Sequence, residues 1–84
     1  MVQEDKSIMT EHLLDARGLT CPLPILRARK QLKLLEAGQR LTVLATDPSA
    51  RRDFPSFCAQ TGQRLLEEGC DADGVLRFVI EKVD

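Results

Sequence analysis

His12-Leu13-Leu14-Asp15-Ala16-Arg17-Gly18-Leu19-Thr20-Cys21-Pro22-Leu23-Pro24 is where the chain changes its period, and its reading decides the fold. His12 to Ala16 reads as a short strand that ends at Arg17-Gly18. From Pro22 to Ala37 the period is helical, with Ile25, Ala28, Leu32 and Leu35 recurring at spacings of three and four. Pro22 suits the first helical position, where the amide it lacks would have had no partner. Gly18 lets the strand turn tightly beneath the loop. Ala37-Gly38 is the expected helix stop.

The remaining elements follow by the same rules. Leu41 to Thr46 alternates Leu41, Val43 and Ala45 against Thr42, Leu44 and Thr46, a second strand. Asp47-Pro48-Ser49 reads as a second helix start, with Asp47 as N-cap and Pro48 at the first helical position. Ala50, Phe54, Phe57, Cys58 and Thr61 share a helical face, and Gly62 ends the segment. Pro55 inside that run predicts a kink, or a restart capped by Asp53. Arg64 to Cys70 and Val75 to Lys82 are strand patterns around Asp71-Ala72-Asp73-Gly74, a hairpin signal that turns Leu76, Phe78 and Ile80 towards the core. The order βαβαββ predicts an α+β fold. Its expected form is a two-layer α/β sandwich with a four-stranded mixed sheet and both helices on one face. Periodicity leaves the strand order open.

Composition narrows the function classes. The chain has 84 residues, 43% hydrophobic and 30% charged, which suits one small soluble domain with little room for a buried pocket. Its formal net charge of -1 gives no bulk attraction to nucleic acid or to a membrane surface. The absence of Trp and Tyr weakens any base-stacking platform. No apolar run is long enough for a membrane span, and the polar Met1–Glu11 stretch reads as a flexible tail unlike a secretory signal. The expected organisation is a tail over 1–11, a single domain over 12–84 and a cytoplasmic location.

Cys21, Cys58 and Cys70 form no CxxC pair and no even disulfide framework, so reduced thiols fit better and no metal site is expected. No cofactor is expected either. Cys21 stands out because the helix beginning at Pro22 places it at or beside the N-cap. Unpaired amides and the positive end of the dipole favour an anion there, and thiols so placed have depressed pKa values. The same field would favour a persulfide anion. Pro22 and Pro24 stiffen the loop. Cys58 shares a face with Phe54 and Phe57 and reads as core. Cys70, at a strand end, could resolve a Cys21 oxidation only if the two are close. His12, the one histidine, lies on the first strand pattern and would have to fold back to pair with the thiol.

Asp15-Ala-Arg-Gly-Leu-Thr-Cys-Pro-Leu-Pro24 followed by a helix resembles the TusA/SirA-like sulfur-carrier family. So does the second block, Asp47-Pro-Ser-Ala-Arg-Arg-Asp-Phe-Pro-Ser-Phe-Cys-Ala-Gln-Thr-Gly62. The resemblance runs from about His12 to Val83, with both blocks in order. It implies a two-layer domain whose CPxP cysteine, Cys21, takes sulfur as a persulfide from a cysteine desulfurase or rhodanese-type donor. It further implies relay to an acceptor: a DsrE-type or other protein in tRNA thiolation, molybdenum-cofactor or sulfur-oxidation pathways. Such a chain is a co-substrate more than a stand-alone enzyme. Gly18, Pro22 and Pro24 then shape the persulfide loop. Arg27, Arg29, Lys30, Arg51 and Arg52 are candidates for a docking rim, with a solvated helix face as the plainer explanation. Two other classes stay open: a regulatory or RNA-contacting binding module using the basic first helix, and a redox-sensing thiol.

Overall fold

Alternation along Leu41-Thr42-Val43-Leu44-Ala45 puts Leu41, Val43 and Ala45 wholly inside, and their strand becomes the centre of the sheet. This strand, β2 (Arg40–Ala45), pairs in parallel with β1 (Glu11–Ala16) and antiparallel with β4 (Leu76–Glu81). The fourth strand, β3 (Arg64–Cys70), pairs antiparallel with the other edge of β4, so the order is β1-β2-β4-β3. The two most apolar strands thus take the middle, and the charged β3 takes an edge. The computed structural model describes residues 11–83, so the tail expected over 1–11 lies outside it except for Glu11, which begins β1.

Two helices complete the fold, α1 (Leu23–Lys33) and α2 (Ala50–Thr61). Both pack on the same face of the sheet. Leu14 and Ala16 of β1, Phe78 and Ile80 of β4, Ala28 and Leu32 of α1, and Phe54 and Cys58 of α2 belong to one buried cluster. The two-layer α+β sandwich expected from the element order is therefore the observed fold. Phe54 is fully buried and stacks on Phe78 with ring centroids 4.8 Å apart. Such a stack contributes about 0.5–1.5 kcal/mol beyond its burial.

Three local features differ from the sequence reading. The first helix ends at Lys33, short of Ala37, because its last carbonyls find other donors. Leu35 N–H and the Lys82 ammonium both reach the Leu32 carbonyl, at 3.1 and 2.8 Å. The second helix starts at Ala50 with Ser49 as N-cap, and Asp47 lies outside it. It also runs through Pro55 as one element, so no restart occurs and Asp53 caps nothing. The hairpin forms as expected. Asp71 Oδ1 accepts the amides of Asp73 (2.9 Å) and Val75 (3.0 Å), and Gly74 takes φ 84°.

Candidate functional site

β1 and β2 are parallel, so the loops that follow them leave the same end of the sheet side by side. Each loop leads into a helix. The first carries Cys21, and the second carries Asp47 and, one turn into its helix, Asp53. Hydrogen bonds join the loops. Gly18, at φ 81°, donates its amide to Thr46 Oγ1 at 2.9 Å. Cys21 donates its amide to Asp47 Oδ2 at 2.6 Å, and Asp47 Oδ1 accepts the Ser49 amide at 3.0 Å. These amides, Ser49 first and then Cys21, hold the Asp47 carboxyl below its ordinary pKa. At the loop's start Arg17 closes on Asp15 at 2.8 and 2.9 Å, keeping that carboxyl ionised down to about 2.

Cys21 is exposed and reduced. The N-cap of α1 is Pro22, so the cysteine stands just outside the helix, joined to Pro22 by a cis peptide bond. Its thiol donates to Asp53 Oδ2 at 3.2 Å. That contact overturns the expected thiolate. The Cys21 pKa is raised, first by the Asp53 hydrogen bond, then by partial burial and by the negative charge of Asp53 and Asp47; only Arg52 pulls it down. A helix N-terminus carries about half an elementary charge. Asp53 brings a whole one to the thiol itself, and the carboxylate wins. The contact favours the thiol over the thiolate.

An open groove of about 240 Å³ lies beside the cysteine between the two helices, with Pro22, Ile25, Arg29, Asp53 and Phe57 in its walls. The Arg29 guanidinium stands over the Phe57 ring, 5.5 Å from its centroid. Of the basic residues expected to form a rim, Arg29 and Arg52 are at this site. Arg52 makes a 3.6 Å ion pair with Asp53 from a side chain that is 80% exposed. Arg27 and Lys30 line a different depression on the other flank of α1, beside Leu14 and Leu26. Arg51 is exposed in the first turn of α2. Pro24 is buried, so it anchors the loop from below and does not belong to its tip.

The sequence reading missed two features. Asp53 looked like a cap, and only the packing of α2 against α1 brings it to the thiol from a position 32 residues away. Leu23 and Leu26 are 43% and 51% exposed, in the depression that Arg27 and Lys30 line; their lack of fit to the helix's apolar stripe is the signal that could have marked them. Cys58 is buried, and burial pushes its pKa up to about 11. Cys70 is exposed against the Asp71 carbonyl and is not part of the Cys21 groove, nor is His12. Among the described residues no cluster of three His, Cys, Asp or Glu is placed to hold a metal ion.

An exposed cysteine between a sheet end and a helix, beside an open groove, defines a protein that presents a thiol outward. The comparisons give that class a family. Residues 12–82 match the family described as sulfurtransferase TusA, and the chain belongs to it. It is 51% identical over 69 residues to a sulfur carrier protein TusA of Allochromatium vinosum, covering 82% of this chain and 90% of that one. To a sulfur carrier protein TusA of Pseudomonas putida it is 44% identical over 72 residues, covering 86% and 90%. The crystal structure of a SirA-like protein from Desulfitobacterium hafniense superposes with a TM-score of 0.77 at 31% identity. That match covers 87% of this chain and 99% of the other.

Proposed function

We propose that this protein is a sulfur carrier whose working atom is Cys21 Sγ. The observation that carries the reading is the exposed cysteine held by its own amide on Asp47 at the end of a small rigid sheet, in a chain of this family. In the loading step the ionised Cys21 sulfur attacks the outer sulfur of a donor persulfide. The new S–S bond forms as the donor's S–S bond breaks, and the donor leaves as a thiolate that takes up the proton Cys21 gave. The sum is R–S–SH plus Cys21–SH giving R–SH plus Cys21–S–SH. In the unloading step an acceptor thiolate attacks the outer sulfur, and Cys21 leaves and is reprotonated. No electrons are gained or lost overall, so no cofactor is needed.

Donors are cysteine desulfurases or rhodanese-type enzymes. Acceptors are DsrE-type or other proteins of tRNA thiolation, molybdenum-cofactor or sulfur-oxidation pathways. A tip beside an open groove, with no enclosed pocket for a substrate, suits insertion into another protein's active site, and the chain acts as co-substrate there. Arg29 and Arg52 beside the thiol, with the exposed Leu23 and Leu26, supply charge and apolar area for docking. Gly18, Pro22 and Pro24 hold the loop's shape. No described helix is long and apolar enough to cross a membrane, and three unpaired cysteines suit the reducing cytoplasm.

The test is intact mass after incubation with a cysteine desulfurase and cysteine, and separately with a rhodanese and thiosulfate. Wild type should gain one reducible sulfur atom and Cys21→Ser none. A gain that persists in the variant would place the chemistry on another cysteine. No gain with either donor would favour a binding module working through the basic helix.

A further inference from the structure

A sulfur carrier faces a problem at its own sulfur. Transfer needs a thiolate, and the free protein holds a thiol against a carboxylate. The charged groups around Cys21 come from both helix starts. From the second come Asp47, which spends its oxygens on the Cys21 and Ser49 amides, and Asp53, in direct contact with Sγ. Arg52 is the cation paired with Asp53, at 3.6 Å and from an exposed position where such pairs are weak. From α1 comes Arg29, which lines the same groove over the Phe57 ring. The group that the thiol meets directly is therefore negative.

We propose, resting on the carrier reading, that Asp53 is a proton latch on Cys21. Its carboxylate keeps the thiol protonated in the free carrier, and a cationic side chain of the docked partner releases it by pairing with Asp53. Asp53 is a positioning residue in this scheme; it never bonds to sulfur. Its side chain is 21% exposed and the groove is open, so a cation can reach it from outside. Pairing would withdraw both the hydrogen-bond acceptor and the like charge, leaving the helix N-terminus to favour the anion.

The latch acts on both halves of the cycle. A protonated Cys21 cannot attack a persulfide, and a Cys21 of raised basicity is a slow leaving group when a stray thiol attacks the loaded form. Small thiols and persulfides do not dock, so they hold no cation in place against Asp53 and would exchange sulfur slowly. A docked protein with Lys or Arg at the matching place would exchange it quickly. The latch thus confines sulfur to protein-to-protein transfer.

The experiment uses the whole free chain. Alkylation of Cys21 by iodoacetamide is followed peptide by peptide, which separates it from Cys70, from about pH 6 to about pH 10. Wild type is compared with Asp53→Asn and Asp53→Ala, with circular dichroism to show that each is folded. The apparent pKa of Cys21 should fall by about one unit in both variants. A tenfold gain in thiolate, offset by the lower nucleophilicity of a less basic sulfur, gives a rate near pH 7 about threefold higher. A profile that stays put or moves upward in the folded variants overturns the latch. A second arm compares sulfur loading from glutathione persulfide with loading from a cysteine desulfurase. Asp53→Asn should speed the first and shrink the enzyme's advantage; an unchanged ratio overturns release by a partner cation. If wild type takes sulfur from neither source while the alkylation profile still shifts, the carrier role falls and the latch stands.

Discussion

The two helix starts at the end of the sheet look alike in sequence and behave as opposites. Each follows a parallel strand, each has a proline beside its first turn, and each could host an anion. The first presents a thiol, Cys21. The second presents carboxylates, Asp47 and Asp53, which turn back onto the first through the Cys21 amide and the Cys21 sulfur. The first start taken alone predicts a lowered thiol pKa; the pair together raises it. The ionisation of the Cys21 sulfur is thus a property of two loops that the chain places 26 to 32 residues apart.

The hardest way to break this pairing is to loosen α2 from the sheet. Phe54→Ala removes a fully buried ring stacked on Phe78. It should cost about 3–5 kcal/mol in urea unfolding, a large share of the stability of so small a domain. A loss below about 1 kcal/mol would show that α2 is held in register by other contacts.

Cys58 sharpens the contrast, because it is a second thiol on α2 where burial acts with no carboxylate. Its folded pKa, about 11, lies above that of an unfolded thiol. The unfolded chain therefore loses this proton first as pH rises, and stability present at neutral pH should decline from about pH 9 through the folded value. Urea midpoints should fall over that range in wild type, and the Cys58→Ala curve should be flatter. Equal slopes would mean the thiol is solvated.

Asp47→Ala tests the link between the loops. It removes the acceptor of the Cys21 and Ser49 amides and should lower the urea midpoint by less than Phe54→Ala does. Because the folded pKa of Asp47 is depressed, its stabilisation is present above about pH 4 and is lost as pH falls through the folded value. The gap between wild type and variant should close on acidification. A constant gap would assign the effect to packing.

The smallest effect is expected at Gly18, whose φ of 81° disfavours any side chain although nothing lies within 4 Å of where a Cβ would stand. Gly18→Ala should cost about 1 kcal/mol through backbone strain. The Cys21 alkylation profile should not move, since the Gly18 amide meets Thr46 and neither carboxylate. A moved profile would mean that the loop's shape sets the thiol's ionisation along with Asp53.

Most of the fold was legible in the residues because it rests on local periods. Leu41, Val43 and Ala45 had to share a face, as did Ala28 with Leu32 and Phe54 with Cys58, and all are buried. The hairpin followed from Asp71 and Gly74, whose preferences need no tertiary partner. Helix ends were less legible: α1 stops at Lys33 because Lys82, fifty residues on, supplies a donor to its carbonyl. Pro55 suggested a kink or a restart, and the helix runs on through it as one element.

By itself the sequence determined the elements, the apolar faces, the single tip cysteine and the family to which these residues belong. Those are matters of spacing and side-chain type, carried by neighbours along the chain. The tertiary structure alone decided that β2 and β4 lie in the centre, that Pro24 is core while Leu23 and Leu26 face outward, and that the Cys21 sulfur meets the Asp53 carboxylate. The physical reason is range. Hydrophobic periodicity acts within a few residues, but electrostatics acts through space, and the charge that governs Cys21 arrives from another helix.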